Sequence, residues 1–420
     1  MVRITRIVSL CIAILLLFGF VSPTLASFAT ASATSGTQQA QLAQNGQDQP
    51  GHAYLPLAKF QLQGIDGPYH TQGNLILGAN NKPYLFHGIA RDDLEYDCGS
   101  DGHYTQQELA YLGAGKSTSQ AVYWGANLVR LPLSESFWLY GNPSIGCSAT
   151  SYQALVKQVV DTLTTLHLNV ILDLQWTDAG KQTDSVGDFA GDAWSMPDAD
   201  SVTFWQQIAT NYKGYSNVLF ELFNEPHDSV GWACWRNGCQ ITSDTSGTTG
   251  HDHHNYTYQA VGMQTLLTTI RQTGANNLAL AAGRDWGFDL SQIPQYHLDG
   301  TNIVYDTHPY PYGEKRAANW NMFFGNLSAT YPVMSAESGE YDCKSTYIAP
   351  LLDYFDAHDI SWVTWAWVTP NVDACTFPRI NNTMTGVPSP GLGQFVHNYM
   401  QTYLQMLGGQ EIPAKLKSFT

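Results

Sequence analysis

Short apolar segments rich in β-branched residues alternate along the chain with segments of helix-like amphipathic spacing, such as 152–163 and 204–212. Eight apolar segments alternating with helices predict a (β/α)8 TIM barrel of the α/β class, because parallel strands need right-handed crossover helices between them. The predicted strands are 84–90, 126–132, 169–175, 218–224, 277–282, 302–308, 332–337 and 361–367.

A shorter pattern precedes the first predicted strand. Residues 73–83 combine a brief apolar run with glycine and asparagine residues that favour turns, which predicts an N-terminal β-hairpin. We expect this hairpin to cover the floor of the barrel, at the end opposite the long loops that follow the strands.

Two of the predicted strands end in a glutamate. Residues 218–223 are followed by Asn224, Glu225 and Pro226, and residues 332–336 are followed by Glu337. A strand interior does not favour a carboxylate beside a proline, whereas the end of a barrel strand projects its side chains into a cleft. Because all the carboxyl ends share one rim, the two glutamates are expected to lie close together. Two such carboxyl groups are the minimal equipment for cleaving a glycosidic bond.

Other chemically useful side chains also fall near the ends of predicted strands. A random placement of polar residues would not produce this clustering, and the rim of a barrel is where an active site sits. The set comprises His87, Arg91, Arg130, Asp173, Gln175, Trp176, Asn224, Trp286, His308, Tyr310, Trp365 and Trp367.

The N-terminal residues have the pattern of a secretory signal peptide. A basic stretch at 1–6 is followed by an apolar run at 7–21 and by small residues at the end of the segment 1–26. An uncleaved membrane anchor is the alternative, but the run is shorter than the ~20 residues needed to span a bilayer. We therefore expect secretion to the extracellular space, with no membrane association after cleavage.

Composition divides the rest of the chain into three parts. Residues 27–53 are rich in Ala, Ser, Thr, Gln and Gly and cannot bury enough apolar surface to offset chain entropy, so a disordered linker is expected there. Residues 54–412 are assigned to the barrel, and residues 413–420 to a C-terminal tail.

Charge and aromatic content narrow the choice of ligand. The net charge is −16, only 13% of residues are charged, and there are 12 tryptophans. An acidic chain without basic clusters argues against nucleic acid and anionic membranes, whereas many aromatic residues suit stacking on neutral sugars. Most aromatic side chains belong to the core. The candidates for exposed stacking positions are Trp138, Trp176, Trp235 and Trp286.

The cysteines predict three disulfides. Seven are present, and six remain once the one in the predicted signal peptide is removed, an even set in an oxidising compartment. No pair has zinc-site spacing, and the histidines of 251–254 are interpreted as a solvated loop in preference to a divalent-ion site. Placement in neighbouring loops after the strands predicts the pairs Cys98–Cys147, Cys234–Cys239 and Cys343–Cys375.

With these residues identified, the chain resembles glycoside hydrolase family five, the cellulase-type retaining β-glycanases of clan A, in a secreted bacterial branch. The most specific motifs are Phe-Glu-Leu-Phe-Asn-Glu-Pro at 220–226 and the strand that delivers Glu337. Supporting motifs lie at 127–132, 308–310 and 362–365, and the likeness covers residues 60–410.

The resemblance implies a role for each residue of the rim. Glu225 would be the acid/base and Glu337 the nucleophile, while Arg130 and Tyr310 would orient the nucleophile. The residues implied to bind substrate are Arg130, Gln175, Trp176, Asn224, His308, Tyr310 and Trp365.

Two positions qualify this assignment. The third predicted strand ends Asp-Leu-Gln-Trp where the family often has Asp-Leu-His, and Gln175 can donate a hydrogen bond but cannot carry a positive charge. A changed sugar preference or pH optimum would follow. Glu340 competes with Glu337 as nucleophile, but Glu337 is preferred because it directly ends the apolar strand, whereas Glu340 lies beyond Gly339 in a loop.

Together these features predict an endo-1,4-β-glucanase that acts by double displacement and needs no metal or organic cofactor. Arg130 is expected to lower the pKa of Glu337, and the neighbouring carboxylate is expected to keep Glu225 protonated. The expected ligand is a β-glycan polysaccharide or oligosaccharide, bound by a monomer. The open alternatives are a β-mannanase, a xyloglucanase, another β-glycosidase or transglycosylase on the same site, and a non-catalytic carbohydrate-binding barrel.

Overall fold

Eight parallel strands close into a barrel in the computed structural model, which describes residues 64–178, 194–228, 230–244, 255–373 and 375–407. In chain order, the strands are β1 (His70–Gln72), β2 (Leu75–Leu77), β3 (His87–Arg91), β4 (Leu128–Ser134), β5 (Asn169–Trp176), β6 (Val218–Glu221), β7 (Cys239–Asp244), β8 (Asn255–Ala260), β9 (Ala279–Ala282), β10 (Ile303–Asp306), β11 (Val333–Ser335) and β12 (Ser361–Trp367). The barrel order is β3–β4–β5–β6–β9–β10–β11–β12, and β12 pairs with β3. The predicted (β/α)8 TIM barrel is therefore confirmed.

Helices connect the barrel strands. Two of the longer helices, α3 (Ala149–Thr165) and α4 (Ala199–Tyr212), are preceded by Ser148 and Asp198, whose side chains accept hydrogen bonds from backbone amides of the first turn. The helices are α1 (Gln106–Ala110), α2 (Glu135–Leu139), α3 (Ala149–Thr165), α4 (Ala199–Tyr212), α5 (Trp232–Asn237), α6 (Met263–Gln272), α7 (Ile293–Tyr296), α8 (Ala317–Phe323), α9 (Ile348–Ala357) and α10 (Leu392–Leu407). No helix in these described ranges is long and apolar enough to cross a membrane.

All eight predicted barrel strands are present, although some ends differ. β3 begins at His87, so His87 lies at the floor of the barrel and not at the rim, and its ring stacks on Trp362 at 4.7 Å. Trp367 is the last residue of β12, as predicted, but its side chain belongs to the core between barrel and helices and packs edge-on against Trp124.

The predicted N-terminal hairpin is present, because Leu77 forms an antiparallel bridge with Pro83 within the segment 73–83, and a further strand pairs on its N-terminal side. β1 and β2 pair antiparallel around a turn at 73–74, where Gly73 adopts a φ of 61°. Tyr69 and Ile76 pack against the apolar interior of the barrel. The Tyr69 hydroxyl donates to the side-chain carbonyl of Asn169, at the start of β5, over 2.8 Å. The hairpin therefore covers the floor of the barrel, as predicted.

Strand alternation separates two apolar layers. Along β6, Val218 and Phe220 belong to the core between barrel and helices, whereas Leu219 belongs to the core inside the barrel. Both faces of each strand are thus covered, which explains why the strand sequences are almost continuously apolar. The inner apolar layer fills the lower barrel and supports the polar residues above it.

All three predicted disulfides are present. Cys98 is bonded to Cys147, Cys234 to Cys239, and Cys343 to Cys375. Each bridge joins segments that follow barrel strands, so it braces loops on the rim side. The signal segment 1–26, the linker 27–53, the histidine-rich segment 251–254 and the tail 413–420 lie outside the described residues.

The disulfides are expected to differ in their effect on stability. Cys98–Cys147 spans 49 residues, whereas Cys234–Cys239 spans 5. Because a longer loop loses more entropy in the unfolded chain, replacing the pairs by alanine should lower the free energy of unfolding by about 4 and about 2 kcal/mol, respectively. Chemical denaturation of the two double variants measures this difference. Equal losses, or a larger loss for Cys234–Cys239, would contradict it.

Candidate active site

Inside the barrel, a layer of charged side chains lies next to the inner apolar layer, on the side of the carboxyl ends of the strands. Side chains two residues apart on a strand point to the same face, so each inward apolar residue is followed by an inward polar one. The apolar members include Leu128, Ile171, Leu219 and Val304, and the residues two positions later are Arg130, Asp173, Glu221 and Asp306.

Arg130 is the centre of this layer. Its guanidinium is fully buried and makes two hydrogen bonds to Glu221, at 2.7 and 2.8 Å, and its Nη2 lies 3.0 Å from Asp173 Oδ2. Its other N–H groups donate to Asn224 Oδ1 at 2.9 Å, to Gln175 Oε1 at 3.2 Å and to Glu337 at 3.0 Å. All five N–H groups of the guanidinium are thus engaged, and its position is fixed.

Both carboxylate oxygens of Glu337 are held by buried donors. Arg130 donates to Oε2 at 3.0 Å, and the Tyr310 hydroxyl donates to Oε1 at 2.6 Å. The Ser335 hydroxyl donates to the backbone oxygen of Glu337 at 3.0 Å, which fixes the chain just past β11. Glu337 therefore has a defined orientation at the rim, with the two contacts that the sequence predicts.

Glu225 reaches the same point from the end of β6. Its Oε1 lies 3.1 Å from His308 Nδ1, and the other ring nitrogen of His308 lies 2.9 Å from Asp306 Oδ2. One oxygen of Glu225, one nitrogen of His308 and one oxygen of Glu337 lie within 4.8 Å of one another. The two glutamates are thus at the short separation, about 5 Å, that distinguishes retaining from inverting glycosidases.

The protonation of this cluster differs from the sequence expectation. Burial and the charge of Glu225 raise the pKa of Glu337 to about 7, against the opposing effects of His308 and Arg130. Burial also acts to raise the pKa of Glu225, but the hydrogen bond and charge of His308 outweigh it and lower that pKa. Although burial disfavours the cation, the Asp306 charge helps to raise the pKa of His308 well above its usual value. The cationic imidazole thus reverses the expected order of the two glutamates.

The remaining residues predicted to bind substrate surround the carboxylates of Glu225 and Glu337. Arg130 holds the carbonyl oxygens of Asn224 and Gln175, so the amide nitrogens are the groups left to donate. The Trp365 ring centre lies 5.9 Å from the Arg130 guanidinium. Trp176 is half-buried at the end of β5 and packs edge-on against Tyr96 at 4.5 Å.

Two of the four tryptophans proposed as exposed platforms are core residues. Trp138 and Trp235 are fully buried, and their indole nitrogens donate to Gln207 and to the Ala282 carbonyl oxygen. A sequence cannot distinguish a buried tryptophan from an exposed one, because a buried indole needs only one hydrogen-bond acceptor for its N–H group. Trp286 is 37% exposed, as expected of a platform, and its ring stacks on His227 at 3.7 Å.

Three buried charged residues of the site escaped the sequence analysis. Glu221 and Asp306 lie in apolar strands, where an ionisable side chain requires a buried partner. Their position in an apolar strand could therefore have identified them as members of a buried charged cluster. Lys315 lies in a loop, and its sequence context gives no such indication. Its ammonium donates to the carbonyl oxygens of Trp286, at 2.9 Å, and His308, at 3.3 Å.

Glu340, the rival nucleophile, has a different environment. Its carboxylate accepts hydrogen bonds from the Thr346 hydroxyl at 2.7 Å and from the backbone amides of Tyr347 and Ile348 at 2.9 and 3.1 Å. These amides belong to the start of α9, where a negative charge is favoured. Glu340 therefore serves as a helix cap.

Among the described residues, four groups of three side chains have ligand atoms close enough to hold a metal ion. One contains the two cysteines of a disulfide, and two share His308 within the cluster described above. The fourth is the buried set Glu135, Asp178 and Asp198 at the start of α4. There, burial and the Asp178 charge raise the pKa of Asp198 to about 7, and Asp198 caps the helix. Glu135 accepts a hydrogen bond from the Ser201 hydroxyl of α4, and Asp178 accepts one from the Ser136 hydroxyl of α2, so the set connects the starts of two helices.

A model of the cellulase family, glycosyl hydrolase family 5, matches residues 99–371. The chain belongs to glycoside hydrolase family 5. An endoglucanase of Paenibacillus polymyxa is 23% identical over 369 residues, covering 76% of this chain and 84% of the relative. An endoglucanase of Clostridium saccharobutylicum is 23% identical over 319 residues, and the match covers 74% of this chain but only 59% of the relative.

Solved structures share the fold of this family 5 enzyme. A β-glucanase from Saccharophagus degradans, in complex with cellotetraose, superposes with a TM-score of 0.58 at 20% identity, covering 84% of this chain and 98% of the other. The catalytic domain of a Thermobifida fusca endoglucanase, also with cellotetraose, gives a TM-score of 0.56 at 17% identity, covering 80% and 98%.

The two glutamates that follow β11 should separate stability from activity. Glu340→Ala removes a helix cap and is expected to lower the free energy of unfolding by about 1–2 kcal/mol while the folded enzyme stays active. Glu337→Ala is expected to abolish activity without a comparable loss of stability. Thermal unfolding and glycan hydrolysis of both variants provide the measurement. An inactive but stable Glu340→Ala would reverse the assignment.

Proposed function

We propose that the protein is a secreted, retaining endo-1,4-β-glucanase in which Glu337 is the nucleophile and Glu225 is the acid/base. The observation that carries the proposal is the pair of carboxylates within 4.8 Å of each other at the rim of a family 5 barrel. An inverting enzyme needs room for a water molecule between its carboxyl groups, and they are then about 6.5–9.5 Å apart.

In the first step, a Glu337 oxygen attacks the anomeric carbon while Glu225 donates its proton to the leaving glycosidic oxygen. The bond from carbon to the leaving sugar breaks, and an ester to Glu337 forms. The active form carries one proton on the glutamate pair. In the free site, burial and the Glu225 charge favour that proton on Glu337. A bound glycosidic oxygen accepts a hydrogen bond from Glu225 and so favours the productive arrangement.

In the second step, water attacks the anomeric carbon and Glu225 accepts its proton. The ester has no negative charge, so the pKa of Glu225 no longer depends on a neighbouring carboxylate. Arg130 and Tyr310 stabilise the departing Glu337 carboxylate, because their donors are already directed at its two oxygens. Two inversions at the anomeric carbon restore its original configuration.

The surrounding residues would hold the reacting sugar. The Asn224 amide nitrogen would donate to the 2-hydroxyl, a contact that strengthens in the oxocarbenium-like transition state. His308 would line the sugar site, Trp365 would form an aromatic floor, and Gln175 would act as a neutral donor. Trp176 would provide a stacking surface further along the cleft.

Glucan is the favoured substrate because the two curated relatives above are endoglucanases and the two solved neighbours are a β-glucanase and an endoglucanase. The predicted signal peptide and the three disulfides favour an extracellular enzyme, since disulfides persist in oxidising compartments. A carbohydrate-binding barrel without catalysis is disfavoured, because such a protein has no need for a nucleophile held by two buried donors.

Glu337→Gly tests the nucleophile. The variant should lose hydrolysis, because no group can form the glycosyl ester, and added azide should restore turnover of an activated β-glycoside as the α-glycosyl azide. NMR of the product identifies its configuration. Glu340→Gly is the matched control and should retain hydrolysis. A β-azide, or rescue confined to the Glu340 variant, would refute the role.

Glu225→Ala tests the acid/base. Loss of proton donation should slow hydrolysis of natural glycans by about 10²–10⁴-fold. The first step on aryl glycosides with good leaving groups should be affected far less, because these need no proton. Pre-steady-state release of the aryl group provides the measurement, and azide should yield the β-azide. Equal losses on the two substrate types would argue against the role.

A panel of polysaccharides tests the substrate. Carboxymethylcellulose and barley β-glucan should be cut with a rapid fall in viscosity, as expected of an endo-acting enzyme, and mannan and xyloglucan should be cut more slowly. Mass spectrometry of products at high oligosaccharide concentration separates hydrolysis from transglycosylation. Strong mannan cleavage without glucan cleavage would overturn the substrate assignment.

A further inference from the structure

Asp306 lies beside β11, the strand that leads to Glu337, and two residues before His308. It is the last residue of β10 and is fully buried. Its Oδ2 lies 2.9 Å from His308 Nε2, and its Oδ1 accepts a hydrogen bond from the Ala336 backbone amide at 2.6 Å. Ala336 directly precedes Glu337 in the chain, and His308 contacts Glu225. One carboxylate thus connects the environments of both glutamates.

We infer that Asp306 is a positioning residue that fixes the proton on His308 Nε2, directs Nδ1 at Glu225 and anchors the backbone that carries Glu337. The inference rests on the proposed roles of the two glutamates and adds to them a third carboxylate that does not touch the substrate.

The tautomer follows from the chemistry of a carboxylate. An ionised carboxylate only accepts hydrogen bonds, so His308 Nε2 must carry the proton that is directed at Asp306. His308 Nδ1 then either accepts a proton from Glu225 or, in the imidazolium, donates one to it, over the 3.1 Å between them. A proton can therefore be held by either partner without movement of the ring, which suits a residue that must be an acid in one step and a base in the next.

Several charges face His308 from different elements, and they do not act equally. Glu221 Oε1 lies 3.5 Å from Nε2, but both of its oxygens are occupied by Arg130. The remaining facing groups are Asp306 of β10, Glu225 beyond β6, Glu337 beyond β11 at 4.0 Å from Nδ1, and Lys315, whose ammonium donates to the His308 carbonyl oxygen.

Asp306 is therefore the main counter-ion of the His308 imidazolium. Burial raises the pKa of Asp306, and the charge of His308 lowers it, so each partner stabilises the charged form of the other. Removing the charge of Asp306 should consequently make the imidazole easier to deprotonate and change the proton affinity of Glu225.

The backbone contact has a separate consequence. β10 and β11 pair in register up to Asp306 and Met334, and the Thr307 backbone amide donates to the Met334 carbonyl oxygen at 3.0 Å. Beyond this point, the Asp306 side chain takes the place of a strand partner for the Ala336 amide. This contact limits movement of the residue before Glu337 where the ladder ends.

Asp306→Asn is the most direct test. The asparagine oxygen can still accept from Ala336, but its amide donates to His308 Nε2, so the ring should change to the Nδ1–H tautomer. Nitrogen-15 NMR of histidine-labelled enzyme should show this change and a His308 pKa at least about one unit lower. For glycan hydrolysis, kcat should fall by about 10-fold or more, with a smaller change in KM and a shifted pH profile.

Asp356→Asn is the matched control. Asp356 is half-buried in α9 and accepts hydrogen bonds from the Tyr399 and Tyr403 hydroxyls, and it lies 3.9 Å from His87 near the barrel floor. This variant should lose stability but leave the His308 resonances and the pH profile unchanged. It separates the loss of a hydrogen-bonded carboxylate elsewhere in the barrel from the specific role of Asp306.

Three outcomes would overturn the inference. They are a wild-type His308 ring that keeps its proton on Nδ1 when raised pH makes it neutral, unchanged His308 resonances in Asp306→Asn, and a loss of kcat with an unchanged pH profile. A pH titration of the wild-type spectrum decides the tautomer even if the variant fails to fold. The NMR measurement needs no substrate, so it tests the role of Asp306 separately from the proposed function. A fully active Glu225→Ala variant would refute the proposed function, and the spectrum would still decide the position of the proton on His308.

Discussion

The buried guanidinium of Arg130 is the interaction on which the rest of the site depends. A buried cation costs several kcal/mol unless its hydrogen bonds are complete, and all five N–H groups of Arg130 have acceptors. Glu221 supplies negative charge from below through two hydrogen bonds to Nε and Nη2, which leaves Nη1 directed at Glu337. Glu337, the proposed nucleophile, is thus oriented by a donor that is itself immobilised and that needs little reorganisation as charge develops.

The barrel makes this arrangement possible through the two-residue period of its strands. An inward apolar layer closes the lower barrel, and the next inward positions carry charges that face one another across a narrow interior. Burial and the neighbouring charge of Glu225 raise the pKa of Glu337 there, and the cations His308 and Arg130 and the hydrogen bond from Tyr310 act against this rise. The close approach of Glu225 and Glu337 opposes ionisation of both carboxyl groups at once. It also allows the pair to share a single proton, which acid/base catalysis requires.

Much of this architecture could be predicted from the chain. Strand positions and disulfide pairs follow from local patterns and from the common rim of a barrel, so both predictions were confirmed. Burial of individual side chains could not be predicted, because Trp138 and Trp286 differ only in what packs against them. The proton distribution was also missed, since it depends on Asp306 and His308 being brought to Glu225 by tertiary structure.

The central claim is that Glu337 forms a covalent glycosyl ester, and trapping that ester tests it most directly. A 2-deoxy-2-fluoro-β-cellobioside with a good leaving group should inactivate the enzyme, because the fluorine slows the second step more than the first. Peptide mass spectrometry of the inactivated protein identifies the modified residue. The account predicts one fluorocellobiosyl group on Glu337. A label on Glu340, or turnover without any covalent species and with inverted product, would contradict it.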